Sequence, residues 1–242
     1  MKIRIKFAKE GAMKFVGHLD IMRYFQKVMR RADVDIRYSE GFSPHQVMSF
    51  AAPLGVGLES RGEYVDIEVL STGSSRAMLE RINSVMVEGM EALSYRLLPD
   101  TAANAMSIVA AADYTVKFRE MYEPENWADF SDGLQSFMAG QPILILKKTK
   151  KGEKEVDIRP MIHLLEAVEC PETKEHLIRM QIATGSAANL KPDAVIRAYL
   201  ESRGETMPEF ALMVTRTEVY AEKETDGQMI LCPLEDFGED IE

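Results

Sequence analysis

Polar and apolar side chains alternate from the first residues, with Ile3, Ile5 and Phe7 interleaved with Lys2, Arg4 and Lys6. A period of two puts each set on its own side of a strand, so residues 2–8 are predicted to form a half-exposed or edge strand. Glu10-Gly11-Ala12 reads as a turn. From about 18 to 32 the period lengthens, because Leu19, Met22, Phe25, Met29 and Ala32 recur at helical spacing. Residues 38–45 are rich in turn formers and predict a loop, and Val47 to Phe50 a short strand. Alternation returns over 63–70, where Tyr64, Val65, Ile67 and Val69 are set against Glu63, Asp66 and Glu68. Ser74-Ser75 then predicts a cap for a helix over 76–87, and 91–98 a strand ended by Pro99. The order β-α-β-β-α-β is that of a ferredoxin-like split unit.

The second half repeats the order. Tyr114, Val116 and Phe118 alternate, Pro124 opens a predicted helix over 124–138, and Ile143 to Leu146 is an apolar strand. Lys147 to Lys154 reads as a charged, hairpin-like turn. Strands follow near 163–169 and 176–183, a helix over 192–202 starts at Pro192, and 211–220 is the last strand. The predicted fold class is α+β, with two tandem ferredoxin-like (β-α-β-β-α-β) units and mainly antiparallel sheets. The expected units are 1–98 and 113–220. Residues 99–112 read as a linker or a docking helix, and 221–242 as an acidic C-terminal tail. Its end carries Glu235, Asp236, Glu239, Asp240 and Glu242 and is expected to fray.

Composition narrows the class. The chain has 242 residues, enough to bury a core without disulfides or a metal. No window approaches a continuous apolar membrane span, and the N-terminal alternation is unlike a secretory signal, so a cytoplasmic protein with no membrane contact is expected. Cys170 and Cys232 are far apart in sequence and belong to no Cys-x-x-Cys pair, which leaves them too few for a four-ligand cluster. Net charge is −10, unevenly distributed. Residues 1–50 hold ten lysines and arginines against five acids, so they carry +5 and the remainder −15. A basic patch on an acidic protein attracts a polyanion locally while the rest of the molecule discourages loose binding.

The first predicted helix concentrates that charge. Arg23, Lys27, Arg30 and Arg31 are spaced to share one face, opposite Leu19, Met22 and Met29. Such a face meets phosphates through charge-assisted hydrogen bonds, and the alternative is a solvated face with nothing bound. Gly17-His18-Leu19-Asp20 opens the helix, and His45 sits in the loop that also holds Ser39, Gly41 and Ser43. If that loop folds over the helix start, His18, Asp20, Ser39 and His45 converge, giving two imidazoles and a carboxylate for acid–base work or a metal. The plainer reading is a structural histidine with a capping aspartate. Val156-Asp157-Ile158-Arg159-Pro160 reads as an internal ion pair or turn. Gly185 to Asn189, before Lys191-Pro192, offers free backbone N–H groups to an anion but matches no nucleotide-binding fingerprint.

Phe15-Val16-Gly17-His18-Leu19-Asp20-Ile21-Met22-Arg23, Arg30-Arg31-Ala32 and Tyr38-Ser39-Glu40-Gly41-Phe42-Ser43-Pro44-His45 resemble the bacterial radical SAM-linked protein family. Leu54-Gly55-Val56-Gly57, Glu63-Tyr64-Val65-Asp66 and Val156 to Pro160 extend the resemblance over nearly the whole chain. That family usually reads Ser-His before the leucine, and Gly17 departs from it. The resemblance implies a domain of unknown function, found separately or joined to the C-terminal end of a radical-SAM protein. It therefore implies a partner more than an activity. The chain lacks a Cys-x-x-x-Cys-x-x-Cys triplet, so the iron–sulfur cluster and S-adenosylmethionine are expected on a separate radical-SAM chain and no cofactor in this one. The leading expectation is an accessory module that binds RNA or another anionic substrate. The alternatives are a protein–protein scaffold without nucleic acid, and an enzyme acting on RNA through His18, Asp20 and His45.

Overall fold

The computed structural model describes residues 1–140, 142–149, 152–186 and 188–242. In chain order its elements are β1 (Lys2–Lys9), α1 (His18–Arg31), β2 (Met48–Ala51), β3 (Glu59–Glu68), α2 (Ser75–Asn83), β4 (Met90–Leu98) and α3 (Ala105–Ile108). There follow β5 (Val109–Phe118), α4 (Trp127–Ala139), β6 (Leu144–Thr149), β7 (Gly152–Asp157), β8 (Ile162–Glu169), β9 (His176–Ala183), α5 (Pro192–Ser202), β10 (Leu212–Thr225) and β11 (Gln228–Pro233). The class is mixed α+β with mainly antiparallel pairing. Two compact units divide the chain: Met1–Ala110 with Arg216–Glu242, and Ala111–Thr215.

In the first unit β1 lies between β4 and β3, with Ile5 opposite Tyr95 on one side and Val65 on the other. β2 pairs β3, Phe50 facing Val65, which gives the antiparallel order β4-β1-β3-β2. Ile3, Ile5 and Phe7 point to one face, where Ile21, Phe25, Val28 and Met29 of α1 and Met78 and Ile82 of α2 close over them. Phe7 packs on Phe25 at 4.5 Å and on Phe50 at 6.0 Å between ring centroids. Full burial of side chains of this size contributes roughly 1.5–3 kcal/mol each, which holds the helices to the sheet. Ser74 caps α2 as its sequence predicts, accepting from the Ala77 N–H at 3.3 Å.

The opposite side of β1 corrects the half-exposed strand expected from alternation. Arg4 is 1% exposed and holds Asp66 through two bonds of 2.8 and 2.9 Å. Lys6 bonds Glu218 at 2.5 Å and Glu235 at 2.6 Å. The cover comes from the C-terminal segment, so residues 221–242 are not a frayed tail. They complete β10, pair it with β11 from Tyr220–Pro233 to Thr225–Gln228, and return over β1 and β4. Leu234 is fully buried, Leu97 and Glu239 exchange two backbone hydrogen bonds, and the Ile241 N–H donates to Ser75 Oγ. The acids that predict fraying are instead partners: Glu235 of Lys6, and Asp240 of Arg96 at 2.6 Å.

In the second unit the order is β5-β9-β8, with Ala111 opposite Ala183 and Leu165 opposite Met180. Asn126, rather than Pro124, marks the start of α4 by accepting from the Asp129 N–H. Trp127 is stacked on His176 at 4.4 Å and on Phe130 at 5.1 Å, and Tyr199 of α5 donates to the Phe130 carbonyl at 2.8 Å. The charged stretch read as a turn is a separate hairpin, β6-β7, because Leu144 to Thr149 pairs with Asp157 to Gly152. Residues 150 and 151 lie outside the described residues. Among the described residues Asp157 makes a turn and no ion pair, since its Oδ1 accepts from Ile143 N and Arg159 N, while Arg159 donates to the carbonyls of Met138 and Ile162. Ala187, within the glycine-rich stretch before α5, is also outside the described residues.

Candidate anion-binding surface

Helix α1 starts where Gly17, in extended conformation, frees the chain from the preceding 3-10 turn. No side chain caps it, and the Gly17 carbonyl accepts from Asp20 N and Ile21 N. Asp20 in the first turn suits the positive end of the helix dipole, as Arg30 and Arg31 suit the last turn. Arg81 of α2 locks the far end, donating to the carbonyls of Ala32 and Asp33. Asp33 takes the left-handed conformation, φ 50°, and ends the helix.

With 3.6 residues per turn, Arg23, Lys27, Arg30 and Arg31 fall within an arc of about 100° on the helix surface. All four are exposed, and Ile21, Phe25, Val28 and Met29 are buried on the other side. The cations therefore form a single outward face. Arg23 pairs with Asp20 at 3.2 Å, but their side chains are 68% and 65% exposed, and so open a pair holds weakly. Among the described residues, Lys27, Arg30 and Arg31 form no ion pair. Arg30 donates to the Gln26 carbonyl at 3.3 Å.

The loop that carries Ser39, Gly41, Ser43 and His45 stands beside this face. Tyr38 and Gln46 bridge its base, and Gln46 Nε2 donates to the carbonyl of Gln26, in the middle of α1. Ser39 and His45 clasp each other: Ser39 N donates to His45 O at 2.8 Å, His45 N to Ser39 Oγ at 3.1 Å, and Ser39 Oγ lies 2.9 Å from His45 Nδ1. The Ser43 carbonyl is 3.3 Å from the same nitrogen. Gly41 has φ 111°, a conformation that favours glycine, and the turn it makes leaves Phe42 fully exposed at the tip. Tyr38, 47% exposed, joins Arg30, Asp33, Asp35, Ser71 and Arg81 around a groove of about 600 Å³.

The convergence considered for His18, Asp20 and His45 takes a different form here. His18 stands edge-on to Phe50, ring centroids 5.3 Å apart. Asp20 turns to Arg23, and His45 to Ser39. No hydrogen bond joins the three among the described residues, and no group of three or more His, Cys, Asp or Glu side chains there is placed to hold a metal. Ser39, Gly41 and Ser43 do meet His45, as parts of one closed turn. Two aromatic residues at this surface escaped the sequence reading, Tyr38 and Phe42. The signal was an aromatic among glycine, serine and proline, where no core position exists to receive it.

The fold and this surface define a two-unit α+β protein whose first unit presents an outward basic helix face beside an exposed aromatic loop. The chain belongs to the bacterial family described as "Uncharacterized protein conserved in bacteria (DUF2344)", which matches residues 2–192. No curated protein matches the chain. Among the described residues, no helix is long and apolar enough to cross a membrane.

Proposed function

We propose that this protein is a binding module for single-stranded RNA, with the outward face of α1 as its phosphate-binding surface and Phe42 as a platform for a base. The observation that carries the reading is that Lys27, Arg30 and Arg31 stand on one exposed face and form no ion pair among the described residues. Exposed cations without an ion-pair partner, in a protein of net charge −10, are available to an external polyanion. A fully exposed phenylalanine on the loop whose base is bonded to α1 supplies the stacking surface that single-stranded nucleic acid uses and a simple anion does not.

The strand order β4-β1-β3-β2, with α1 and α2 as crossovers, supports reading the first unit as ferredoxin-like, and α4, β5, β8, β9 and α5 support the same plan for the second with β6-β7 inserted. Many RNA-binding sheets of this plan use the open sheet face. In the first unit that face is occupied by the C-terminal segment through Arg4, Lys6 and Leu234. The helix side is thus the surface left for a ligand. We further propose that the module serves a radical-SAM protein on a separate chain, which would carry the iron–sulfur cluster and S-adenosylmethionine. This part rests on the sequence resemblance alone, and co-purification from the native cell tests it.

Fluorescence anisotropy with a single-stranded RNA tests the binding itself. Changing Lys27, Arg30 and Arg31 together to Ala is expected to weaken binding and to flatten the dependence of log K on log salt by about 2, at roughly 0.7 per lost phosphate contact. Phe42→Ala is expected to weaken binding by about 1–3 kcal/mol per base unstacked while leaving the salt slope in place. Unchanged affinity in the triple variant at low salt sinks the proposal.

A further inference from the structure

Away from α1, the first unit contains a group of charges that do not balance. Lys9 ends β1, opposite Ser60 of β3, where the register slips after Phe7, and it is only 3% exposed. Glu63 is 5% exposed and Arg216 1%. Arg216 is fixed in place, with Nη2 donating to Glu63 Oε1 at 2.7 Å and Nη1 to the Ala52 carbonyl at 2.8 Å. Its Nε–H is buried and has no partner. Among the described residues the Lys9 ammonium makes no hydrogen bond either. Strand register sets Lys9 next to Glu63, since Phe7 lies opposite Glu63 and Lys9 opposite Ser60, and Arg216 is bonded to Glu63, so the three groups share one neighbourhood. Two cations face one carboxylate.

Enclosing two cations with one carboxylate is costly even though the Lys9 nitrogen keeps some contact with solvent, and the deficit admits two resolutions. Lys9 can give up its proton, and burial and the nearby Arg216 do lower its pKa against the pull of Glu63. That leaves the orphaned Arg216 Nε–H unexplained, since a guanidinium keeps its protons in proteins. An oxyanion answers both deficits at once. It restores charge balance, accepts from Nε–H and takes the ammonium donors of Lys9. Arg216, already oriented by Glu63 and Ala52, loses little freedom on binding it. Arg216 lies against the start of the segment that follows β2, through the Ala52 carbonyl. That segment leaves β2 at Ala52, whose φ of 42° is left-handed, and Pro53, Gly55, Val56 and Gly57 are exposed.

We propose that the first unit holds an internal oxyanion site, in which Lys9 and Arg216 bind the phosphate or carboxylate group of a ligand next to residues 52–58. The site is separate from the face of α1 and stands whether or not RNA binds there.

Thermal unfolding of the full chain tests it, with inorganic phosphate or acetate added at matched ionic strength against chloride. Phosphate well above its Kd is expected to raise Tm by several degrees. A larger rise with acetate assigns the site to a carboxylate ligand instead, which supports the proposal with the other source. Lys9→Met should fold, because Lys9 makes no hydrogen bond that its loss would break, and should lose the anion-dependent rise. Phosphorus NMR of the unaltered protein gives a second readout, in which broadening of the phosphate line is expected. The triple α1 variant must keep the rise, which separates this site from the RNA surface. No shift with either anion, or an undiminished shift in Lys9→Met, overturns the proposal.

Discussion

Lys27, Arg30 and Arg31 on α1 are exposed and, among the described residues, form no ion pair, whereas Arg4 and Lys6 on β1 are enclosed and hold carboxylates at 2.5–2.9 Å. Both sets come from the basic first fifty residues, and nothing in residue type separates them. The separation is made by what folds over each. The outer face of α1 receives no cover, so its charges stay hydrated and free to exchange solvent for a ligand. The second side of β1 receives the C-terminal segment, so its charges lose water and must be matched by acids, Asp66 of β3 for Arg4, and Glu218 and Glu235 for Lys6. Exposed cations thus remain open to solvent, and enclosed ones form a seam that holds the unit together.

Substitutions that treat the two sets alike should have unlike effects. The largest is expected at Arg4. Arg4→Ala leaves Asp66 without its two-bonded partner, and a loss of about 3–5 kcal/mol is expected from urea unfolding. A loss under about 1 kcal/mol would place Arg4 with the solvated cations. Gly62→Ala probes the same seam through backbone contact. An added Cβ would stand 2.7 Å from the Glu218 Cα and 2.9 Å from the Thr217 carbonyl, and backbone yields little, so a cost of about 1–3 kcal/mol is expected in thermal unfolding.

A smaller and more specific effect is expected with pH. Burial works against the charged form of Lys6, yet the hydrogen bonds to Glu218 and Glu235 outweigh it and raise its pKa above 10.5. Burial likewise works against the Glu235 carboxylate, and the Lys6 hydrogen bond holds its pKa below 4.5. The raised group stabilises fully below its ordinary value, and the depressed one fully above. The contribution is therefore complete between pH 4.5 and 10.5. It falls away as acid titrates Glu235 and as base titrates Lys6. Urea midpoints at stepped pH should show both flanks, and Lys6→Met should shrink them. The smallest effect on stability is expected from reversing charge on α1. Lys27→Glu with Arg31→Glu should move the unfolding free energy by no more than about 0.5 kcal/mol, while RNA anisotropy falls sharply. Unfolding of that variant would show the α1 cations to be structural after all.

Much of the helical structure in both units was legible from the sequence. The helical period from Leu19 to Ala32 marks α1, Ser74 marks the start of α2, and Pro192 that of α5, because capping and periodicity act within a turn or two of chain. The shared face of Arg23, Lys27, Arg30 and Arg31 followed from spacing alone. The loop over 38–45 was legible as a loop, but its direction was not. A hydrogen bond from Gln46 to the middle of α1 aims it, and that contact spans twenty residues. His18 and His45 show the same limit, since one side chain found Phe50 and the other Ser39.

The amino-acid order by itself determined where α1 lies, which of its sides is apolar and which is charged, and the bounds of strands such as β1, β4, β8 and β9 to within a residue. These follow from interactions between near neighbours. Only the tertiary structure decided that Glu235 and Asp240 belong to Lys6 and Arg96 rather than to water, that β1 is enclosed on both sides, and that Arg216 meets Glu63 over 153 residues of chain. Those outcomes depend on which distant segment comes to rest on which surface, and a carboxylate carries no mark of its partner until burial removes the water that would otherwise serve it.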